Sequence, residues 1–240
     1  MEIEMEIKIM MKEFLVDSVF FGAVLSLAAY EAGALLKRRF KLALFNPLLI
    51  ATAAVMLTLT FMKVEYSHYY ESAKYISYLL TPATVCLAVP LYQQMELLKK
   101  NLKAVAGGIT AGVLASLASI FLLAKLFSLN HEQYVTLLPK SITTAIGMGI
   151  SEELGGIQTI TVAVIIITGI FGNVTAEFIC KIFRICDPVA KGLAIGTASH
   201  AIGTAKAMEM GEIEGAMSSL AIAVAGLMTV LGASVFAALI

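Results

Sequence analysis

Charge is scarce in this sequence. Only 14% of its 240 residues are Asp, Glu, Lys or Arg, while 59% are hydrophobic and the mean hydropathy is +0.89. Soluble domains carry about a quarter charged residues, so an ordinary water-soluble domain is excluded and the chain reads as a polytopic α-helical membrane protein. Net charge is missing too. Seventeen basic residues balance 17 acidic ones, and nothing points to nucleic acid as a partner. Cysteine is reduced to Cys86, Cys180 and Cys186, an odd number without metal-like spacing. These read as packing residues, with no disulfide framework or metal site. The acidic start, Met1 to Glu13, has no small-residue cleavage site, so it reads as a tail before a retained first span. No glycine-rich phosphate loop or run of metal ligands is present, and no cofactor is expected.

What the chain has instead is long apolar runs. A span needs about 20 such residues. The runs 14–36, 42–62, 75–98 and 104–127 qualify. Asn46-Pro47 lies near the start of the second, where proline suits a first helical turn. Pro82 and Pro90 make the third a kinked or broken helix. Basic clusters at Lys37-Arg38-Arg39-Phe40-Lys41 and Lys99-Lys100-Asn101-Leu102-Lys103 follow the first and third runs. By the positive-inside rule both face the cytoplasm, which puts the N-terminus outside. The aromatic stretch 64–74 reads as an interface belt, and His68 and His131 fall in expected external loops without a role.

The second half is different. From Leu137 to Gly156 it mixes Pro139, Lys140, hydroxyls, glycines, Glu152 and Glu153 into apolar surroundings. A lipid-facing helix does not tolerate that composition, whereas a segment broken beside a polar cavity does. The pattern then recurs. Ala145-Ile146-Gly147 returns as Ala201-Ile202-Gly203, Glu153 as Glu209, Gly155 as Gly211 and Ile157 as Ile213, at one constant offset. Each copy runs on into an apolar helix. With Lys181, Arg184 and Lys191 in the cytoplasm, each copy becomes a re-entrant hairpin followed by one crossing, in opposite orientations. The expected fold is therefore all-α, with about six transmembrane helices plus two re-entrant hairpins in an inverted-topology repeat. Its parts are an N-terminal four-helix scaffold at 1–127 and a duplicated region at 128–240, with repeats at 134–183 and 189–240. If both hairpins span fully, the repeats are parallel instead; the basic cluster at 181–191 favours the hairpins.

Lys140, Ser141, Thr143 and Thr144 follow Pro139 and are expected to open a short helix whose N–H groups suit a carboxylate. The second hairpin offers Thr197, Ser199, His200, Thr204 and Lys206. Two such tips meeting near the midplane would enclose a small anion. Plain structural roles compete with this reading. Hydroxyls in membrane helices bond their own i−4 carbonyl, glycines serve close packing, and either lysine could snorkel or pair with Glu152, Glu153 or Glu209. His200 or one of those glutamates could couple a proton, and Glu177 reads as structural. An intramembrane hydrolase built on Ser141 and His200 is the enzymatic competitor, but adjacent Lys140-Ser141 and Ser199-His200 pairs point apart on a helix, and no enzyme is expected.

These same residues resemble the LrgB/CidB family, which is related to the C-terminal half of the plastid glycolate/glycerate transporter. The likeness is carried by Leu137-Leu138-Pro139-Lys140-Ser141, Thr143-Thr144, Ser151-Glu152, Gly155-Gly156-Ile157, Ile167-Thr168-Gly169, Pro188 to Ala194, Gly196 to Ala207 and Gly211 to Ala216. It extends more weakly to Asn46 to Ile50, Pro82 to Val85 and Leu87 to Tyr92. The chain departs from the family pattern at Ala145 (commonly Pro), Gly149 (commonly Glu), Ala201 (commonly Gly) and Lys206 (commonly Arg). The resemblance implies one of two functions. One is a carrier for small carboxylates such as pyruvate, glycolate or glycerate. The other is an antiholin-like regulator of murein hydrolase activity and lysis, paired with a small LrgA/CidA-type membrane protein. Polarity concentrated in two broken segments favours the carrier, working by alternating access in a prokaryotic plasma membrane and expected as a homo-oligomer, a dimer.

Overall fold

The computed structural model describes residues 18–40, 45–79, 82, 85, 86 and 88–240. The expected tail, the N-terminal orientation and the beginning of the first span lie outside those residues, as does the end of the basic cluster at Lys41. Among the described residues all regular structure is helical. The chain falls into two compact units, Met1–Val85 and Cys86–Ile240.

The first unit contains α1 (Phe21–Phe40), α2 (Pro47–Met62) and α3 (Tyr66–Ser77). Asn46 and Pro47 start α2 as expected. The Asn46 side chain accepts from the N–H groups of Leu48 (2.8 Å) and Leu49 (3.2 Å), and Pro47 takes the first turn, where its missing N–H costs nothing. The aromatic stretch is helix α3, so His68 lies in a helix rather than in a loop. It joins α1 through polar contacts. Ser72 Oγ accepts from Gly22 N (2.7 Å), and the Ser26 and Tyr69 hydroxyls meet at 2.7 Å.

The second unit contains α4 (Ala88–Gln93), α5 (Met95–Lys100), α6 (Leu102–Leu126), α7 (His131–Leu137), α8 (Thr144–Glu153), α9 (Gln158–Ile182), α10 (Pro188–Met210) and α11 (Glu212–Ala237). The 75–98 run, expected as a kinked or broken helix, is described in the end of α3, at residues 82, 85 and 86, and in α4 and α5. Pro90 falls in the first turn of α4, where an N–H is not needed, and the described break follows at Gln94. His131, expected in a loop, opens α7, which Asn130 and Gln133 cap reciprocally.

Among the described residues, α6, α9 and α11 are long and apolar enough to cross a membrane. At 1.5 Å per residue each spans about 38 Å, enough for a hydrocarbon core of about 30 Å. Their outer faces expose Leu122, Ile167, Phe171, Leu227 and Leu231, a surface that suits lipid and not water. This is a helical membrane protein.

Contacts along these helices fix their directions. Residues advance together on α7 and α9: Thr136 Oγ1 accepts from Ile157 N (2.8 Å), and the Pro139 region faces Ile165 across Gly147. Helix α8 runs the opposite way, with Ser151 against Thr161 and Gly147 against Ile165. The next segment repeats this arrangement. Before His200, α10 advances with α11, Gly192 against Glu214 and Gly196 against Ser218. After His200 it returns, Thr204 against Ser218 and Met208 against Gly215. Helix α10 is thus two short helices joined by a reversal at His200, whose backbone (φ 43°, ψ −143°) is not helical. Helices α9 and α11 point in opposite directions, since α9 places Gly169, Gly172 and Ala176 against His200, Ser199 and Ile195 in turn.

Small residues make these approaches possible. A Cβ on Gly196 would stand 2.5 Å from the Ser218 carbonyl oxygen and 2.7 Å from the Ala221 Cβ, whereas one on Gly107 would meet nothing within 4 Å. Gly196→Ala is therefore expected to destabilise the folded protein by about 1–3 kcal/mol through overpacking. Gly107→Ala gains helix propensity without a clash. Thermal unfolding in detergent should show a lowered midpoint for Gly196→Ala alone; equal midpoints would contradict the α10–α11 packing.

Candidate functional site

The first hairpin turns over residues 138–143 between α7 and α8. Leu138, Pro139 and Ile142 are buried and pin the turn. Of the four residues expected to open a short helix, Thr143 is the N-cap and Thr144 the first residue of α8, and Lys140 and Ser141 form the tip before it. Ser141 Oγ accepts from Lys140 Nζ (2.9 Å) and from Ser116 Oγ of α6 (3.1 Å). Lys140 has no carboxylate partner among the described residues.

This tip ends a cavity of about 700 Å³ between α6 and the first half of α10. Asn101, Gly108, Gly112, Ser116 and Ser119 line one wall, and Asp187, Leu193 and Thr197 line the other. The walls run in the same direction, Gly108 opposite Leu193 and Gly112 opposite Thr197. Asn101 and Asp187 therefore share one end, and Lys140 with Ser141 holds the other. Asp187 is committed to capping α10, where it accepts from Ala190 N at 2.9 Å.

The other expected site residues are placed elsewhere. His200 Nε2 meets the Ile165 carbonyl of α9 at 2.9 Å, and Gly169 leaves room for its ring. Ser199 packs into the space left by Gly172. Thr204 Oγ1 donates to the His200 carbonyl (3.0 Å) and meets Ser218 Oγ at 2.7 Å. These three side chains hold the reversal together. Asn173 adds a bond from α9 to the Ile202 carbonyl at 2.7 Å. Lys206 bridges Glu177 of α9 (2.6 Å) and Glu209 (3.1 Å), and Glu152 and Glu153 are exposed at the end of α8. Thr143 and Thr144 are half-buried at the start of α8.

The expected nine residues thus separate. Lys140, Ser141 and Thr197 line the cavity; Ser199, His200 and Thr204 build the second tip; Lys206 is ion-paired. Ser141 and His200 are engaged with different partners and form no hydrogen-bonded dyad. Sequence reasoning missed the α6 wall. Its signal was present, since Gly108, Gly112, Ser116 and Ser119 recur at helical spacing on one face.

Residues 26–239 match the LrgB-like family. The chain belongs to that family. Similar LrgB-like proteins include the antiholin-like protein LrgB of Bacillus cereus (strain B4264) and that of Bacillus anthracis (strain CDC 684 / NRRL 3495). Each is 40% identical over 215 residues, covering 88% of this chain and 92% of the relative. Their name agrees with the regulator named second among the two functions above, and it says nothing of transport. No solved structure is similar enough to the chain to count as a match.

The His200 backbone lies where a side chain is strained, and its ring bond to Ile165 is what offsets that strain. His200→Ala keeps the strain and loses the bond, with an expected loss of about 1–3 kcal/mol. His200→Gly loses the bond but relieves the backbone. Thermal unfolding should rank wild type above Gly and Gly above Ala; an Ala variant as stable as wild type would remove this role for the ring.

Proposed function

We propose that this chain is a carrier for small monocarboxylates of the pyruvate, glycolate and glycerate class. One observation carries the reading: a lysine with no carboxylate partner among the described residues stands at the end of a polar-tipped cavity, beside two helical reversals. Its ammonium supplies the charge that a carboxylate needs, and Ser116, Ser119, Ser141 and Thr197 supply hydroxyls for the rest of a small, oxygen-rich anion. In this reading α7 with α8, and the two halves of α10, are re-entrant hairpins, while α9 and α11 are crossings. The whole protein then has about six crossings with inverted-topology repeats. The opposed directions of α9 and α11 support it, and so does the matching order of segments in the two copies.

Lys99, Lys100, Lys103 and Lys191 lie toward the Asn101 end of the cavity, which supports a reading with that end facing the cytoplasm and the N-terminus outside. The membrane is then the prokaryotic plasma membrane, and this conformation faces inward. Alternating access closes that end and opens the outer side of the Lys140 tip. A second copy of the chain and an LrgA/CidA-type small membrane protein are its expected partners.

The second reading is an antiholin-like regulator of murein hydrolase activity and lysis that acts with the LrgA/CidA-type partner. The relatives' name favours it directly. Neither reading assigns a reaction to catalyse. Uptake of labelled pyruvate, glycolate and glycerate into vesicles of purified protein separates them. The carrier reading expects saturable uptake, reduced at least about tenfold by Lys140→Met and much less by Lys206→Met, whose charge is already met by carboxylates. Vesicles that take up none of the acids, with and without the partner protein, would leave the regulator.

A further inference from the structure

Among the described residues, Lys140 is the one basic side chain on the cavity, and its partner there is a neutral hydroxyl. Among the described residues, no element packed around the tip brings an opposite charge to it. Helix α6 has no titratable side chain between Lys103 and Lys125, nor has α9 between Gln158 and Glu177, nor α11 beyond Glu214. On α7, Tyr134 gives its hydroxyl to the Phe236 carbonyl, and His131 and Glu132 are exposed at the far end. On α8, Glu152 and Glu153 are exposed near the C-terminal end, more than two turns from the tip. On α10, His200 is turned to Ile165, Lys191 pairs with Glu214, and Asp187 stands about 15 Å down the helix from Thr197. An ammonium in that position meets no carboxylate among the described residues, and lysine, unlike arginine, is a basic side chain that can give up its proton.

We propose that Lys140 is the proton carrier of the cavity: its amine is neutral when the cavity is empty and takes up one proton as a carboxylate seats against it. The inference rests on the carrier reading and deepens it. The proton comes from water at the Asn101 end, and the carboxylate stays ionised. The resulting ammonium–carboxylate pair is neutral overall. Release on the other face returns both, so one proton accompanies each anion and no net charge crosses. The glutamates and His200 are not needed for this coupling.

Purified full-length protein in weakly buffered detergent solution, titrated with pyruvate while a pH indicator is followed, tests the inference. Wild type should take up close to one proton per pyruvate bound, and its apparent Kd should weaken as pH rises, approaching about tenfold per pH unit. Lys140→Arg, which stays charged, should bind pyruvate with no proton uptake and with a Kd that is flat with pH. Pyruvate binding by wild type without proton uptake would overturn this inference and leave the carrier reading intact. Uptake that persists in Lys140→Arg would overturn it in favour of another group. If that variant does not fold, the pH dependence of the wild-type Kd decides alone. Absence of both binding and vesicle uptake of every acid would end both readings together.

Discussion

A helix that stops inside a packed apolar interior leaves carbonyls and N–H groups with nothing to bond, and the second unit is organised around that constraint. At His200 the chain reverses, and α9 is pressed close enough to answer the exposed groups. Asn173 reaches the Ile202 carbonyl, Thr204 takes the His200 carbonyl, and the imidazole itself is held by Ile165. None of these bonds forms unless the backbones approach closely. Gly169 and Gly172 are there for that reason, since a Cβ at either would strike the His200 ring or the Ser199 hydroxyl. The polar bonds and the glycines are one device: packing brings the donors in, and the donors make the break tolerable.

The first hairpin solves the same problem with different residues. Its turn takes six residues rather than one, and Thr136, Ser151 and Thr161 form a buried hydroxyl cluster between α7, α8 and α9. What distinguishes the hairpins is where their lysines stand. Lys140 is at a tip and faces a cavity, whereas Lys206 is well along the returning helix and is clasped by two carboxylates. A charge already neutralised in place holds helices together. A lysine that meets only a hydroxyl has no such fixed role.

Much of this was legible beforehand, for identifiable reasons. Pro139, the polar run after it and its later echo mark broken helices by composition alone, and Asn46-Pro47 marks a helix start by capping chemistry. The helix directions and the α6 wall were not legible. A span of Gly, Ala and Ser reads the same whether its small face meets lipid, a neighbour or a cavity. Only the approach of α10 decides, and that is a tertiary fact. Ser199, His200 and Thr204 were read as site residues and are found bonding the reversal together, for a related reason. Ser199, His200 and Thr204 are the residue types that bind an anion and equally those that mend a broken helix. Sequence pattern does not separate the two uses, and the bonds to Ile165 and Ser218 do.

The Tyr134 hydroxyl donates to the Phe236 carbonyl, a residue synthesised 102 positions later. That bond has a consequence for biogenesis. The first hairpin is laid down early, with a large aromatic side chain whose polar end has no acceptor until the last turn of α11 emerges from the ribosome. The first hairpin thus gains this bond only when the last helix is made.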